Sequence, residues 1–442
     1  MKKLIALTLV IPALITFNAC NKIDFRDFKV HHGDKDENPI YAAVATEWYK
    51  LQLRILLERN SAVNGVYFGY IGISLYESVR HMDKHSASFS SSLYQMPAMP
   101  AKENNKNYFW PVSANASMAK IVRSYFTGLT PANNASIDSL ETAFNTLLKS
   151  KCAPEVFDRS QAYGQSIATA VYNWSLTDNF NPSNAGYVPP VFPGSWQPTL
   201  PALANGVSPY LASARPFLAS NLVNTASPFP FAYSENSSSQ FYKMVKKVHD
   251  VSLNLTTEQK NIALFWVDQG NGVGYTPPGH DMSIITQAIE KKSANLLVAA
   301  EAYAKGGIAE RDATLVCFKS KYTYNMVRPI TYIRNLIDPN WLPFIPTPPH
   351  PEYPAAHALI TGSALQAVSK VLGSNLSFVD HTYDFRGWQP RSYGSLFKAA
   401  EEAGISRLYG GIHYEPSINE GLSIAKEIGN KVGSIKLTGH ND

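Results

Sequence analysis

The sequence predicts an all-α protein of two packed helical bundles with long, irregular, proline-rich loops. Apolar residues recur at three- and four-residue spacing along most of the 442 residues, the period of helices that pack on one another. Alternating apolar and polar runs of the kind that make strands are scarce. Hydrophobic residues make up 45% and charged residues 17%, so the chain can bury the core of two ordinary domains or one large one. Its net charge of +5 is modest and forms no basic stripe, which excludes nucleic acid as a partner.

The elements follow in order. Lys2-Lys3, the apolar run 4–15 and Ala19-Cys20 have the form of an export signal, with an apolar run too short for a membrane span. Residues 21–38 are charge-rich with little to bury and suit a tether; His31-His32 within it have no partner cluster. Helical patterning begins at Tyr41 with Leu51, Leu53, Ile55 and Leu56, and continues through 66–79, 114–129, 134–149 and 154–177. Between 178 and 233 prolines interrupt every regular pattern, as at Pro189-Pro190, Pro193-Gly194 and Pro228-Phe229-Pro230. This aromatic-rich segment is expected to fold over the helices and shape a pocket mouth. Helices return at 238–254 and at 257–266, the latter opened by Thr256-Thr257-Glu258. The glycine-rich run 270–274 lacks the lysine of a phosphate loop and follows no strand, so it is no nucleotide fingerprint. Further helices are expected at 283–306, 308–324 and 355–372, the last stopped by Gly373, and from near Ser417, with Glu420 completing a capping box. The two halves divide as 39–232 and 233–435. Cys152 and Cys317 are expected to be two buried thiols.

The last third carries an ordered set of cationic and imidazole residues. Lys321 is followed seven positions later by Arg328-Pro329, then by Pro354-Ala355-Ala356-His357, Ser406-Arg407 and His413. Two arginines, a lysine and two histidines are the residue types that hold a tetrahedral oxyanion and pass it a proton. On one helix Lys321 and Arg328 would share nearly one face, with Pro329 ending it. Such a pair alone is more often a solvated face. The run 350–354 cannot be helical, so His357 falls in the first turn of the next helix, where the free N–H groups of Ala356 and His357 favour an anion. A histidine merely packing a helix start would look the same in isolation. Gly410-Gly411 ends the helix that carries Arg407 and turns the chain so that His413 projects from the loop that follows.

Together these residues resemble the three motifs of the vanadium-dependent haloperoxidase and type 2 phosphatidic acid phosphatase (PAP2) superfamily in order, spacing and separation. Lys321-Tyr322-Thr323-Tyr324-Asn325 and Thr347-Pro348-Pro349-His350-Pro351-Glu352-Tyr353-Pro354 add local likeness. Looser likeness reaches back to about residue 40, as in the longer haloperoxidase-like members. The resemblance implies that Lys321, Arg328 and Arg407 bind the oxygens of vanadate, or of phosphate in the same site, with the Ala356 N–H assisting. It makes His413 the axial vanadium ligand of a peroxidase or the nucleophile of a phosphatase, and His357 the acid–base residue opposite. Cys20 resembles the acylation site of a bacterial lipoprotein, with Phe17 where leucine is usual; a plain secretory peptide is the alternative. An exported protein held to a membrane by its lipid alone follows from this.

Two positions depart from the family pattern. Ala355-Ala356 stand where Ser-Gly is usual, which removes a hydroxyl donor worth roughly 1.5–3 kcal/mol if buried against a charge. Ser417 stands where an aspartate usually orients the final histidine, with Glu415 or Glu420 as geometric substitutes. Three readings result: a vanadate-dependent haloperoxidase using peroxide and a halide, an acid-phosphatase-type phosphomonoesterase acting on a small phosphoester through a phosphohistidine, and a phosphate- or vanadate-binding protein with little turnover. Asp268, Asp281 and Asp312 are the candidate anchors for the arginines.

Overall fold

The computed structural model describes residues 39–59, 67–200, 203–223, 225–268 and 274–437. The export signal with Cys20, the tether and most of the glycine-rich run lie outside them.

Thirteen α-helices dominate these residues. The first five are α1 (Pro39–Arg59), α2 (Phe68–Val79), α3 (Trp110–Tyr125), α4 (Pro131–Lys149) and α5 (Pro154–Ser175). After the irregular segment come α6 (Gln240–Leu253), α7 (Thr257–Phe265), α8 (Pro277–Lys292), α9 (Leu296–Tyr324), α10 (Pro329–Leu336), α11 (Ala356–Leu372), α12 (Leu396–Tyr409) and α13 (Glu415–Gly433). One antiparallel pair of three-residue strands, β1 (Phe378–Asp380) and β2 (Arg391–Tyr393), pairs Phe378 with Tyr393. Among the described residues no helix is long and apolar enough to cross a membrane.

Local chemistry sets most helix starts. The Thr130 and Ser239 hydroxyls accept the N–H of Asn133 and Tyr242 at the heads of α4 and α6, satisfying donors that the helix itself cannot. Thr256 and Gln259 make a reciprocal capping box for α7. Prolines in the first turn start α3, α5, α8 and α10, where a missing N–H costs nothing. That rule moves α3 four residues upstream of its expected start, to Trp110 with Pro111.

Helix α9 is the axis of the molecule. It runs 29 residues and is buried along almost its whole length, with α2 on one side and α11 on another. The sequence placed a break at Gly306-Gly307; the structure puts it earlier, at Ser293, which is left-handed (φ 50°), and at Asn295, which caps the Val298 N–H. Gly306-Gly307 instead lie inside the helix, because α2 crosses there at backbone distance. A Cβ on Gly307 would sit 2.7 Å from the Gly69 nitrogen, and one on Gly72 would sit 2.6 Å from the Ala304 Cα. Gly72→Ala must therefore separate the two helices. It is expected to destabilise the protein by at least about 1–3 kcal/mol, read as a fall in thermal midpoint.

The largest apolar cluster draws on α1 to α5 and on α8, α9 and α11 to α13. A second cluster, built around Phe241, Tyr332, Tyr353 and Tyr414, lies beside the site residues. Among its described residues the segment 176–239 holds short 3-10 turns and an isolated β-bridge from Ser195 to Met326, and it does wrap the helices. Trp196 N–H donates to the Asn325 carbonyl, Val327 N–H to that of Gly194, Tyr324 Oη to that of Ala226 and Tyr353 Oη to that of Ser227. It therefore straps the C-terminal end of α9 and the turn that carries Arg328. Cys152 and Cys317 are free thiols: Cys317 is buried, whereas Cys152, expected to be buried, is partly exposed just beyond α4.

Candidate active site

Asn325 is left-handed (φ 45°) and its N–H closes the last turn of α9 on the Lys321 carbonyl. Lys321 and Arg328 are therefore not neighbours on one helix, as the spacing alone suggested. Arg328 is the extended residue just before Pro329 opens α10, and the reversal at Asn325 brings it back towards Lys321. All three expected oxyanion-binding cations are buried: Lys321 and Arg328 are fully covered and Arg407 is 1% exposed.

Lys321 spends its ammonium on the pre-α11 loop. Its Nζ donates to the carbonyls of Pro351 (3.0 Å), Glu352 (2.9 Å) and Pro354 (2.6 Å), so an incoming oxyanion would take over one of these donors. Arg328 Nε donates to the His350 carbonyl (2.9 Å), Nη1 to the Ile412 carbonyl (2.8 Å) and to His413 Nε2 (3.1 Å), and Nη2 to His350 Nδ1 (3.0 Å). Arg407, in the last turn of α12, donates from Nε to Ser406 Oγ (2.9 Å) and from Nη2 to the Trp266 carbonyl. Burial lowers Lys321 to about 8 and both arginines to about 10. Among the described residues none of the three has a carboxylate within ion-pairing distance. Three buried cations without an ion-pair partner are a strong electrostatic demand for an anion.

His413 lies in the turn between α12 and α13. Its Nδ1 is 2.8 Å from Glu352 Oε1, which also accepts the Tyr414 N–H at 2.9 Å. Burial, and then the nearby charges of Arg328 and Lys321, hold its imidazole well below the usual range, so it is neutral. With Nδ1–H on the carboxylate, Nε2 presents a lone pair, which faces Arg328 Nη1. Glu352 is the orienting carboxylate that Ser417 could not be. The sequence suggested Glu415 or Glu420, but Glu415 pairs with Lys247 (2.6 Å) and Glu420 accepts the Ser227 N–H. The expected capping box at Ser417 is absent too: α13 starts at Glu415, and Ser417 lies buried inside it, its carbonyl accepting the Ala355 N–H. Burial raises the Glu352 carboxyl to about 7. Glu352→Gln keeps the shape but removes the charge, and is expected to cost 10–100-fold in turnover, with thermal melting as the control for fold.

Helix α11 starts at Ala356, after Ala355 in extended conformation, so the Ala356 N–H is among those free at the helix head. His357 follows. Its Nε2 faces Asp268 Oδ2 at 3.6 Å, longer than a hydrogen bond, and among the described residues both buried atoms are without another partner. Burial and then Arg407 lower the His357 imidazole to about 4; it is neutral at ordinary pH. Burial would raise the Asp268 carboxyl, yet the charge and hydrogen bond of His280 and the approach of His357 bring it below the usual carboxylate range. Of the other candidate anchors, Asp312 accepts the Phe217 and Leu218 N–H groups and Asn221 Nδ2, away from the arginines. Asp281 is fully buried, and among the described residues neither oxygen makes a hydrogen bond of ordinary length, Thr361 being the nearby hydroxyl.

Asp281 has a consequence for stability. Burial raises its carboxyl to about 8, and burial also raises the nearby Glu310, which feels the Asp281 charge. Between the unfolded value of about 3.9 and this folded value, the folded state keeps a proton that the unfolded state has released, so stability falls as pH rises. Asp281→Asn is expected to stabilise the protein near pH 7 by on the order of a few kcal/mol. It should also flatten the pH dependence of denaturant unfolding between about pH 5 and pH 8.

Two residues of the site carried no role in the sequence reading, Glu352 and His350. Both sit in the proline-rich run before α11, whose likeness to the family was the only signal. His350 is a neutral imidazole, held well below its usual range by burial and by Lys321 and Arg328.

Comparison with known proteins gives the same answer as the motifs. Residues 301–437 match the family described as the VCPO second helical-bundle domain, a span that contains all five cationic and imidazole residues. The chain is 30% identical to a bacterial vanadium-dependent iodoperoxidase, with 91% of this chain and 97% of that one covered and a TM-score of 0.76. The chain belongs to the vanadium haloperoxidase/PAP2-type superfamily. Holo and apo structures of a bacterial vanadium-dependent chloroperoxidase share the fold at 15% identity and a TM-score of 0.60, over 83% of this chain and 90% and 91% of theirs. No curated protein sequence matches the chain. Membership does not fix the reaction, which the residues of the pocket decide.

Proposed function

We propose that the protein is a vanadate-dependent haloperoxidase that uses peroxide to oxidise a halide. The observation that carries the reading is its likeness to the iodoperoxidase over nearly the whole of both chains, which goes beyond the motifs that peroxidases and phosphatases share.

The residues fit vanadate by charge and by geometry. Three buried cations lack an ion-pair partner among the described residues, a neutral histidine offers Nε2, and the His357 ring lies at a helix head. Lys321, Arg328, Arg407 and the Ala356 N–H would hold the oxygens, and His413 Nε2 would bind the vanadium. When bound, vanadate supplies a Lewis acid that polarises peroxide without changing its own oxidation state. Arg328 positions the His413 ring from one side and Glu352 from the other, so the Nε2 lone pair is aimed before any ligand arrives. His357, neutral at ordinary pH, takes a proton from the incoming peroxide and returns it later. With Nε2 facing Asp268, the nitrogen that exchanges the proton is Nδ1. Asp268 stabilises the imidazolium formed on the way. Anchoring through Cys20 at a membrane surface outside the cytoplasm belongs to the same reading.

The His413–Glu352 pair favours one second reading. A carboxylate on Nδ1 of a histidine also strengthens Nε2 as a nucleophile, so the missing aspartate at 417 is no argument against a phosphomonoesterase. A paired assay separates the two. Peroxide-dependent halide oxidation that needs added vanadate, without hydrolysis of p-nitrophenyl phosphate, is the expected result. Hydrolysis without vanadate, blocked when vanadate is added, would replace this reading with the phosphatase. Anion uptake without turnover in either assay would leave a binding protein.

A further inference from the structure

Behind His357 lies a buried array of charges that none of the motifs includes. His280, in the first turn of α8, is fully buried. Its Nδ1 is 2.9 Å from Asp268 Oδ1 and its Nε2 is 2.9 Å from Asp380 Oδ2. Carboxylates only accept, so both ring nitrogens must donate, and an imidazole with a hydrogen on each nitrogen is the cation. The indole of Trp266 stacks on this ring at 4.3 Å and 22°, as suits a cation over an aromatic face. The carbonyl of the same Trp266 accepts from Arg407.

The two carboxylates are divided with the same regularity. Asp380 uses Oδ1 for the Thr382 N–H (2.9 Å) and Gln287 Nε2 (3.3 Å), leaving Oδ2 for His280. Asp268 uses Oδ1 for His280 and the Tyr383 hydroxyl (2.6 Å). Among the described residues its Oδ2 has no hydrogen bond, and it faces His357 Nε2 at 3.6 Å. We propose that His280, clamped between Asp268 and Asp380, is a positioning residue for His357: it holds Asp268 through Oδ1 so that Oδ2 faces the acid–base histidine, and its charge opposes the proton that histidine takes up. This rests on the reading of His357 as the acid–base residue.

The charges that bear on His357 come from every side of it. Arg407 on α12 and His280 on α8 oppose its protonation, Asp268 favours it, and His350 before α11 is neutral. Around His280 itself stand Asp268, Asp380, the neighbouring Asp281 and the Tyr383 phenol, the last two in their protonated forms. Burial would lower His280, but the two carboxylates hold it at about 10, so it stays charged across the working range. Removing the His280 charge leaves Asp268 and Asp380 without the cation between them, and His357 should then bind its proton more readily. Removing the Asp380 charge leaves the His280 cation less compensated, and His357 should bind its proton less readily.

The test is a histidine NMR titration of the wild-type protein, His280→Gln and Asp380→Asn in vanadate-free buffer. Because no turnover is involved, its outcome is independent of what the enzyme oxidises. His280→Gln is expected to raise the His357 midpoint by about one pKa unit, and Asp380→Asn to lower it by less. A role confined to packing predicts no such opposite shifts. Unchanged midpoints in folded variants, or shifts in the same direction, would overturn the proposal. Should His280→Gln fail to fold, the wild-type ring decides jointly with Asp380→Asn. The proposal expects both His280 ring nitrogens to carry protons through neutral pH and above, and a neutral ring there would overturn it. In the vanadate-loaded enzyme the same variants should move the acidic limb of the pH–rate profile in the directions of the NMR midpoints.

Discussion

His413→Ala is expected to abolish turnover, lowering it by about a thousandfold or more, with the fold retained. Alanine removes the imidazole whose Nδ1 is held by Glu352 at 2.8 Å and whose Nε2 is left for the oxyanion. The damage to structure should be small. Glu352 Oε1 keeps the Tyr414 N–H, and Arg328 Nη1 keeps the Ile412 carbonyl. The measurement is halide oxidation at saturating vanadate beside a thermal melt. Substantial residual activity with an unchanged melt would remove His413 from the chemistry under both the peroxidase and the phosphatase readings.

Arg328→Ala should have the second large effect, and on two quantities at once. Each charge-assisted hydrogen bond to a bound oxyanion contributes about 1.5–3 kcal/mol, so vanadate or phosphate uptake should weaken by about 10–100-fold or more. Arg328 also donates to the His350 and Ile412 carbonyls. Leaving these buried acceptors unpaired costs about 1–3 kcal/mol each, so the empty protein should lose thermal stability as well. Calorimetric titration with orthovanadate and a melt without ligand read the two effects separately. The pH dependence of uptake follows from Lys321. Its folded pKa of about 8 lies below the ordinary lysine value, so it loses its charge as pH rises through that point, and its contribution to anion binding goes with it. A bound anion raises the value again, and binding below about pH 8 should therefore draw in few protons.

What the sequence made legible was local. Lys321, Arg328, His357, Arg407 and His413 stand out because each sits at a helix end marked by its own neighbours: Asn325, Pro329, the 350–354 run or Gly410-Gly411. The structure moves those ends by a few residues without separating the side chains. Glu352 was not legible as the partner of His413, because the two are 61 positions apart and nothing local couples them. The same is true of His280, whose two carboxylates lie 12 and 100 positions away. The pairing of Gly306-Gly307 was misleading for a related reason. In the sequence it resembles a helix stop, whereas its role is to let α2 approach α9 at backbone distance, a requirement that only the tertiary packing reveals. Ser417 illustrates the converse: a position that departs from the family pattern looked like a missing function, yet the carboxylate had been supplied from another segment.

The most direct test of the account is a titration of the phosphate-free protein with orthovanadate, following peroxide-dependent iodide oxidation at each addition. The account predicts activity that is absent without vanadate and rises with occupancy to a plateau at one vanadate per chain. Activity independent of vanadate, or phosphoester hydrolysis that vanadate extinguishes at the same stoichiometry, would contradict it.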